Sequence, residues 1–572
     1  MTAVLGISAL YHDAAAALVV DGEVVAAASE ERFSRVKHDS SLPVLAVRAC
    51  LARAGLTMRD LDRVVFYEKP LRKYERILVS HVLTFPRSLP AFVRSQLSWL
   101  TDKLWLRDRL CTALGARPSQ IAFCEHHLAH AASAFYGTDL PEAAVLVVDG
   151  VGEWATTSLY RGGEGGLQRL GEVRFPHSLG LLYSAFTAWA GFEVNEGEYK
   201  LMGLAAYGEP TRADDVRKLI RLDDDGGFEL DLSYVAWHHS SHRSTTARFD
   251  ALFGPPRHPG APLDPTTPEG KRIADVAASI QVVLEEALLG LARGLHARTG
   301  LPDLCYAGGV ALNGVANHRL LTEGPFRSLH VHPAAGDAGA AVGAALWGWT
   351  EVLGQPRPAA DLKPGLGTEV HRDAVRALLD DLNQRYVELE DPAPRVAEDL
   401  AAGRVVGWHE GRFEWGPRAL GHRSILADPS VPDIRDRINA KVKFREPFRP
   451  FAPAARAEEA ARLCHLPPGG EQPARWMVMV APVQEGVADR LPSTTHVDGT
   501  ARIQVVDDAL VPAFGRVVDA FTTLTGTPAV LNTSFNLRGE PIVSTPLESL
   551  ATFHRSGLDA CYIQGFRVEP KA

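Results

Sequence analysis

The sequence predicts an α/β protein in two parts, the first of them made of two similar lobes. Three observations lead there. At 572 residues the chain exceeds one ordinary core. Short apolar strands and helical stretches follow one another along it. One phrase also occurs twice. "AVLGISALYHDAAAALVVDGEVVAAASEERF" near the start and "AAVLVVDGVGEWATTSLYRGGEGGLQRLGEVRF" at 143–175 each read as strand, turn, strand, turn, strand. Such a repeat predicts two lobes facing a cleft that could take a nucleotide. Two short meanders can also arise by chance.

The elements follow in order. Residues 88–110, "SLPAFVRSQLSWLTDKLWLRDRL", carry regularly spaced charges and predict an amphipathic helix. "CEHHLAHAASAFYG" (124–137) predicts a helix with His126 and His130 on one face at i and i+4, and His127 pointing elsewhere. The polar stretch 238–272 reads as a loop or insertion, and 273–299 as a helix. "DLCYAGGVALNGVANHRLL" gives a strand, a glycine pair and a helix, and "VHPAAGDAGAAVGAALWGW" puts Asp337 at the start of another. "LGQPRPAADLKPGLG" (353–367) is a Pro/Gly-rich linker, so the domains are expected at 1–355 and 365–572. Beyond it a helix, the strand "RVVGWHEG", a basic segment and strands near "RWMVMVAPV" and "PAVLNTS" make a second α/β domain.

Composition narrows the function. The chain is 46% hydrophobic and 23% charged, as soluble globular proteins are. A net charge of −9 argues against broad nucleic-acid binding. Six scattered cysteines without a CxxC pair argue against a disulfide framework or a zinc finger. "MTAVLGISAL" lacks a basic flank and reads as a strand rather than a signal peptide. No stretch reaches the ~18 uncharged apolar residues of a membrane span. The expected location is a reducing cytoplasm, with no membrane or nucleic-acid partner and homo-oligomerisation left open.

Several side chains could carry chemistry. His126 and His130 can converge on one metal ion, or can be two surface histidines. Asp149 follows an apolar strand, where its carboxylate can face the histidine helix, although Asp-Gly is also a common turn pair. Asp337 is similarly placed and could equally be an N-cap. Two imidazoles with one or two carboxylates suit Fe(II), Mn(II) or Zn(II). Gly308 and Gly309 in "AGGVALN" (ending at Asn313) let a backbone approach a ribose or phosphate, or simply make a turn. His12, in a turn, can take a proton near neutral pH. In the second domain Arg412, Arg418, Arg423, Lys443, Arg445 and Arg449 interleave with aromatic, Gly and Pro residues, a pattern suited to phosphate or carboxylate recognition. "VLNTSFNLRGEP" adds Asn532, Thr533, Ser534 and Asn536 at a strand end.

These motifs, in this order, resemble the NodU/CmcH family of O-carbamoyltransferases. The likeness runs through "YHDAAAALVVDGEVVAAASEERFSRVKH", "HHLAHAASAF", "VVDGVGEW", "NEGEYKLMGLAAYG", "AGGVALN", "GDAGAA", "GRFEWGPRALGHRSIL", "KFREPFRPFAP" and "LNTSFNLRGEP". The resemblance implies an N-terminal, two-lobed actin/sugar-kinase-like (ASKHA) domain and a C-terminal YrdC-like α/β domain. It implies that His126, His130, Asp149 and Asp337 hold Fe(II) or a similar ion, that His12 is the general base, and that Gly308, Gly309 and Asn313 meet a nucleotide. In the second domain it implies that Arg418, Lys443, Arg445, Arg449, Arg502, Asn532, Ser534 and Asn536 bind carbamoyl phosphate and ATP, with Mg accompanying ATP. Lys443 and Arg445 match the K-x-R signature of YrdC-type domains, and Ser534 and Asn536 their S-x-N. The implied reaction makes carbamoyl-adenylate and passes the carbamoyl group to a hydroxyl of a small-molecule natural product such as an aminoglycoside or a macrocycle. The alternatives are a tRNA threonylcarbamoylation-type enzyme, which the acidic balance disfavours, and a non-catalytic nucleotide-binding protein of the same fold. The loop 195–208 is expected to line the transfer site.

Overall fold

The computed structural model describes residues 1–101, 103–223, 225–358 and 363–570. The chain divides into two units, Met1–Val25 with Ser40–Leu362, and Ala26–Asp39 with Lys363–Ala572.

Unit 1 carries the repeat in its sheets. In space, the first sheet runs Glu23–Ser29, Ala15–Val20, Ala3–Ser8, Arg63–Phe66, Ile121–Phe123. Ala3–Ser8 pairs antiparallel with Ala15–Val20 and parallel with Arg63–Phe66, which is itself parallel to Ile121–Phe123. The second sheet runs Gly166–Arg174, Ala155–Gly163, Ala143–Val148, Asp303–Ala307, Ser328–Val331, with the same change from antiparallel to parallel at its third strand. The two meanders are therefore equivalent halves of one doubled topology, the arrangement expected of an actin/sugar-kinase-like domain. Their central strands are buried throughout, which explains their unbroken apolar runs.

The alanine- and glycine-rich helix Asp337–Trp347 has a packing reason for its composition. A Cβ on Gly6 of the first strand would lie 1.9 Å from the Ala341 carbonyl oxygen, and one on Gly343 would lie 1.7 Å from that of Ala129. Only glycine allows this approach. The helix thus lies directly on strand Ala3–Ser8 and on the histidine helix, His126–Tyr136.

The helix expected over 88–110 is broken, into Leu89–Thr101 and Leu106–Leu114 with a short 3-10 turn between. Within the expected loop 238–272 a short helix forms, Ala247–Phe253, because Phe249 and Phe253 bury against Phe186 and Trp189. The long helix spans Pro268–Thr299, started by the Thr267 hydroxyl accepting from the Gly270 N–H and stopped by left-handed Gly300.

Unit 2 is an eight-stranded mixed sheet in the order Tyr386–Glu388, Phe566–Val568, Ala560–Ile563, Val406–His409, Arg423–Ala427, Val530–Ser534, Ala452–Arg456, Gln504–Val506. Alternate residues feed two cores. Ile425, Ala427 and Leu531 join Val375, Ile434 and Phe553 on one face. Val406, Trp408, Leu426 and Val530 join Val396, Phe514 and Val517 on the other.

The unit also contains Ala26–Asp39, which the 353–367 linker gives no hint of. Buried Arg32 donates to the Gly416 carbonyl at 3.0 Å, Arg35 donates to the Pro541 and Ile542 carbonyls at 2.8 Å, and the Ser544 hydroxyl donates to the Arg32 carbonyl. Linker composition marks where a chain is extended, whereas this segment is held by side-chain contacts hundreds of residues away. Among the described residues the cysteines are unpaired, and no helix is long and apolar enough to cross a membrane.

Candidate functional site

In unit 1 the four residues expected to hold a metal come together. One donor atom from each of His126, His130, Asp149 and Asp337 lies within 4.8 Å of all the others. His126 Nε2 is 3.0 Å from Asp149 Oδ2 and 3.5 Å from Asp337 Oδ1, and His130 Nε2 is 3.4 Å from Asp337 Oδ1. Asp149 follows its strand directly, Asp337 opens the close-packed helix, and the two histidines face them one turn apart. His127 points away, buried, with Nδ1 bonded to the Ser158 hydroxyl at 2.9 Å.

The donor set fits a divalent ion. Both ring nitrogens of His130 and Oδ2 of Asp337 are buried without a hydrogen-bond partner, a costly state unless a ligand satisfies them. Burial presses the His126 imidazolium down, but Asp337 and Asp149 outweigh it and carry its pKa up to about 9. Burial pushes the Asp149 carboxyl up, yet His126 and His130 hold it well below the usual range. A proton on His126 thus balances the carboxylates, and a cation would replace it.

His12 adjoins this quartet. Its Nδ1 is 2.9 Å from Asp13 Oδ2, while Nε2 faces Asp337 Oδ2 at 3.6 Å. Burial lowers its basicity, but Asp337 foremost, then Asp13 and Asp149, raise its pKa to about 9. Tyr11 beside it interacts with Asn195, so the 195–208 stretch reaches the same wall. Asn195 is left-handed (φ 67°) and its N–H donates to Glu198, which also accepts from Ser184.

The glycine pair does something the sequence did not suggest. Gly308 turns with φ 94°, and a Cβ there would lie 2.2 Å from the Val148 carbonyl oxygen. That turn aims the Gly309 N–H at Asp149 Oδ1, 2.9 Å away, leaving Oδ2 for His126. Asn313, expected at a nucleotide, is 8% exposed and caps helix Gly314–Thr322, accepting from the Ala316 N–H while exchanging hydrogen bonds with Gln281. Helix capping and a buried amide partner occupy it instead.

In unit 2 the basic residues separate by task. The Lys443 ammonium is buried and donates to Ser534 and Asn536, with Nζ 2.8 Å from Asn536 Oδ1. The K-x-R and S-x-N motifs thereby meet. Burial first, then Arg445 and Arg449, press the Lys443 pKa well below the usual lysine range. Arg445 donates to Asn439 and lies 4.5 Å over the Phe451 ring, and Arg449 is 3.6 Å from Glu446. Arg418 and Arg502 are half-buried. Asn532 is fully buried and donates to the Ala419 carbonyl and to Gln504, so it braces the turn that follows Arg418. Arg412 and Arg423 are structural. Arg412 donates to the Leu366 and Gly367 carbonyls, and Arg423 to those of Glu410, Gly411, His422 and Ser544.

Comparison with known proteins agrees with both units. Residues 3–346 match the family described as Carbamoyltransferase N-terminus, and 397–570 match Carbamoyltransferase C-terminus. The chain belongs to the NodU/CmcH carbamoyltransferase family. It is 44% identical to an uncharacterized Synechocystis sp. protein, over 99% of this chain and 96% of that one. It is 38% identical to nodulation protein NolNO of Sinorhizobium fredii, over 98% of this chain and 79% of that protein. It is 31% identical to the 3'-hydroxymethylcephem-O-carbamoyltransferase of Amycolatopsis lactamdurans, over 65% of each.

Two residues of this carbamoyltransferase escaped sequence reasoning. The Glu153 carboxylate, 7% exposed, accepts from the backbone N–H groups of His126 and Lys69, fixing the start of the histidine helix. Tyr67 is fully buried, its ring 5.0 Å from that of His126, and its hydroxyl has no hydrogen-bond partner. Burial, followed by Asp337 and Glu68, pushes that phenol well above its usual range. Position was the available signal. Tyr67, Asp149 and Gly308 each directly follow a strand, at the carboxyl ends where α/β sheets place their ligands.

Proposed function

We propose that this carbamoyltransferase converts carbamoyl phosphate and ATP to carbamoyl-adenylate in unit 2 and transfers the carbamoyl group in unit 1 to a hydroxyl of a small-molecule natural product. The observation that carries this reading is the buried quartet beside His12, with all four donor atoms within 4.8 Å.

In unit 2, Lys443, Arg445, Arg449, Arg418 and Arg502 would neutralise phosphate charge, with Ser534 and Asn536 orienting the lysine. Lys443 gains by this. A buried ammonium disfavoured by burial and by neighbouring cations is stabilised when an anionic phosphate arrives. Water cleaves carbamoyl phosphate to carbamate and inorganic phosphate, and a carbamate oxygen then bonds to the α-phosphorus of ATP as the bond from that phosphorus to pyrophosphate breaks.

In unit 1, His126, His130, Asp149 and Asp337 would hold a divalent ion, Fe(II) or else Mn(II) or Zn(II). Bound there, such an ion supplies positive charge to hold a phosphate or polarise a carbonyl. Asp13 fixes the His12 tautomer by accepting a hydrogen bond from Nδ1–H, leaving the Nε2 lone pair toward the quartet. The acceptor O–H gives its proton to Nε2, the hydroxyl oxygen bonds to the carbamoyl carbon, and the bond from that carbon to the AMP phosphate oxygen breaks. Bare carboxylates keep His12 protonated near neutral pH. Compensation of their charge is therefore what makes it a base.

Relatives named for nodulation and for a hydroxymethylcephem support a small-molecule acceptor. The test is incubation with carbamoyl phosphate, ATP and a panel of natural-product alcohols, read by a mass gain of one carbamoyl group. ATP turnover driven by threonine and bicarbonate rather than carbamoyl phosphate would favour the tRNA-type alternative.

A further inference from the structure

A cavity of about 400 Å³ opens in unit 1, away from the quartet, between the start of helix Leu89–Thr101 and residues 236–247. Its charged and polar lining includes Arg87, Arg94, His239, Ser240, His242 and Arg243, and no carboxylate lines it. In a chain of net charge −9 that is a local reversal of sign. Arg87, Arg94 and Arg243 are exposed around it, on a loop and a helix that are tied together. The Ser240 hydroxyl accepts from the N–H groups of His242 and Arg243, each at 3.2 Å, so the loop folds over it. Arg94 donates to His242 Nε2, tying the helix to the loop. Burial and then His239 and Arg87 lower the His238 pKa to about 4, and burial with Arg87 lowers that of His239. Three guanidinium groups and several hydroxyls face this space, with Asp250 in electrostatic range of Arg243 but outside the lining, and together they form a receptor for an oxyanion.

We propose that this cavity binds a carboxylate, sulfate or phosphate group carried by the acceptor alcohol. The anion site stands on the cavity itself, and its assignment to the acceptor rests on the transfer reading above. A chain of contacts leads from the cavity's edge toward the quartet. Trp237 Nε1 donates to the Pro176 carbonyl at 3.1 Å, and the neighbouring Phe175 ring lies 5.0 Å beneath the Arg76 guanidinium. Arg76 is buried and feels the charges of Glu68, Tyr11 and Glu153, which border the quartet. Helix Pro70–Leu83, which carries Arg76, has 14 residues and so runs about 20 Å toward Arg87. The acceptor is then an extended molecule, with its hydroxyl at His12 and an anionic group in the arginine cavity.

The test uses the full chain. Calorimetric titration with inorganic sulfate is compared between wild type and R94Q/R243Q, with carbamoyl phosphate-dependent pyrophosphate exchange as the control for folding. The variant should bind one sulfate fewer per chain while exchange is unchanged. R87Q should weaken the same site at least tenfold, and it carries the test alone if the double variant loses exchange. With a carboxylate-bearing alcohol as acceptor, KM should rise at least tenfold in R94Q/R243Q, while KM for its methyl ester stays put. Equal sulfate stoichiometry in wild type and variant overturns the site. So does loss of binding to phosphatidylglycerol vesicles with sulfate binding retained, which would make the arginines a lipid-headgroup surface. A sulfate site lost in the variant, with no alcohol carbamoylated by wild type, keeps the anion site and sinks the transfer reading instead.

Discussion

In unit 1 four candidate metal ligands from three separate stretches meet because the backbone aims each of them. Glu153 fixes the start of the histidine helix, the Gly309 N–H turns Asp149, and Gly343 lets the Asp337 helix touch the histidine helix. In unit 2 the six basic residues singled out between Arg412 and Arg449 lie within 38 positions, yet they divide between different tasks. Arg412 and Arg423 hold carbonyls, while Lys443 is threaded between Ser534 and Asn536. The contrast teaches that nearness in sequence is a poor guide to convergence. Arginine presents five donors and satisfies buried carbonyls as readily as phosphates. A buried carboxylate beside imidazoles has far fewer uses.

Five experiments break or sharpen that contrast. The largest effect is expected from His130→Ala or Asp337→Asn, which should lower carbamoyl transfer about 10³-fold, within the range of lost catalytic groups. Bound metal should disappear by elemental analysis while pyrophosphate exchange in unit 2 survives. Exchange falling in step with transfer would mean the two centres are not separable.

Lys443→Ala should do the converse, lowering pyrophosphate exchange about 10²–10³-fold, as loss of a preorganised charge does, with metal content untouched. Arg423→Gln, by contrast, should cost stability, seen as a lower urea midpoint, because it strands the carbonyls of Glu410, Gly411, His422 and buried Ser544.

Glu153→Ala keeps every ligand but releases the N–H groups of His126 and Lys69. Metal affinity, measured by chelator competition, should weaken by about 10–100-fold. Unchanged affinity would show that the helix holds its histidines without this cap.

The smallest effect on activity is expected from Asp399→Asn, far from either set of ligands in sequence. Burial pushes the Asp399 carboxyl up, but hydrogen bonds from Arg567 at 2.8 Å and Tyr562 at 2.7 Å outweigh it and lower the pKa below its usual 3.8. A carboxyl depressed by folding adds stability that is present above its unfolded pKa and fades as pH falls through the folded value. The variant should therefore lose about 3 kcal/mol at neutral pH, and the gap to wild type should close in acid. Urea titrations at pH 7 and in acid check this, and an equal gap in both would contradict the assigned sign.

The sequence by itself determined the α/β class and the doubled meander, and it singled out the four side chains that form the buried quartet and, by family resemblance, the K-x-R and S-x-N motifs. Strand alternation, Asp-Gly turns and i, i+4 spacing act over a few residues, so they are legible along the chain. Only the tertiary structure decided that Asn313 caps a helix, that Arg412 and Arg423 brace carbonyls, that Glu153 fixes the histidine helix, and that Ala26–Asp39 belongs to unit 2. Each of these depends on which buried polar group must find a partner once distant segments pack. That demand is set by burial and contact distance, which no stretch of neighbouring residues contains.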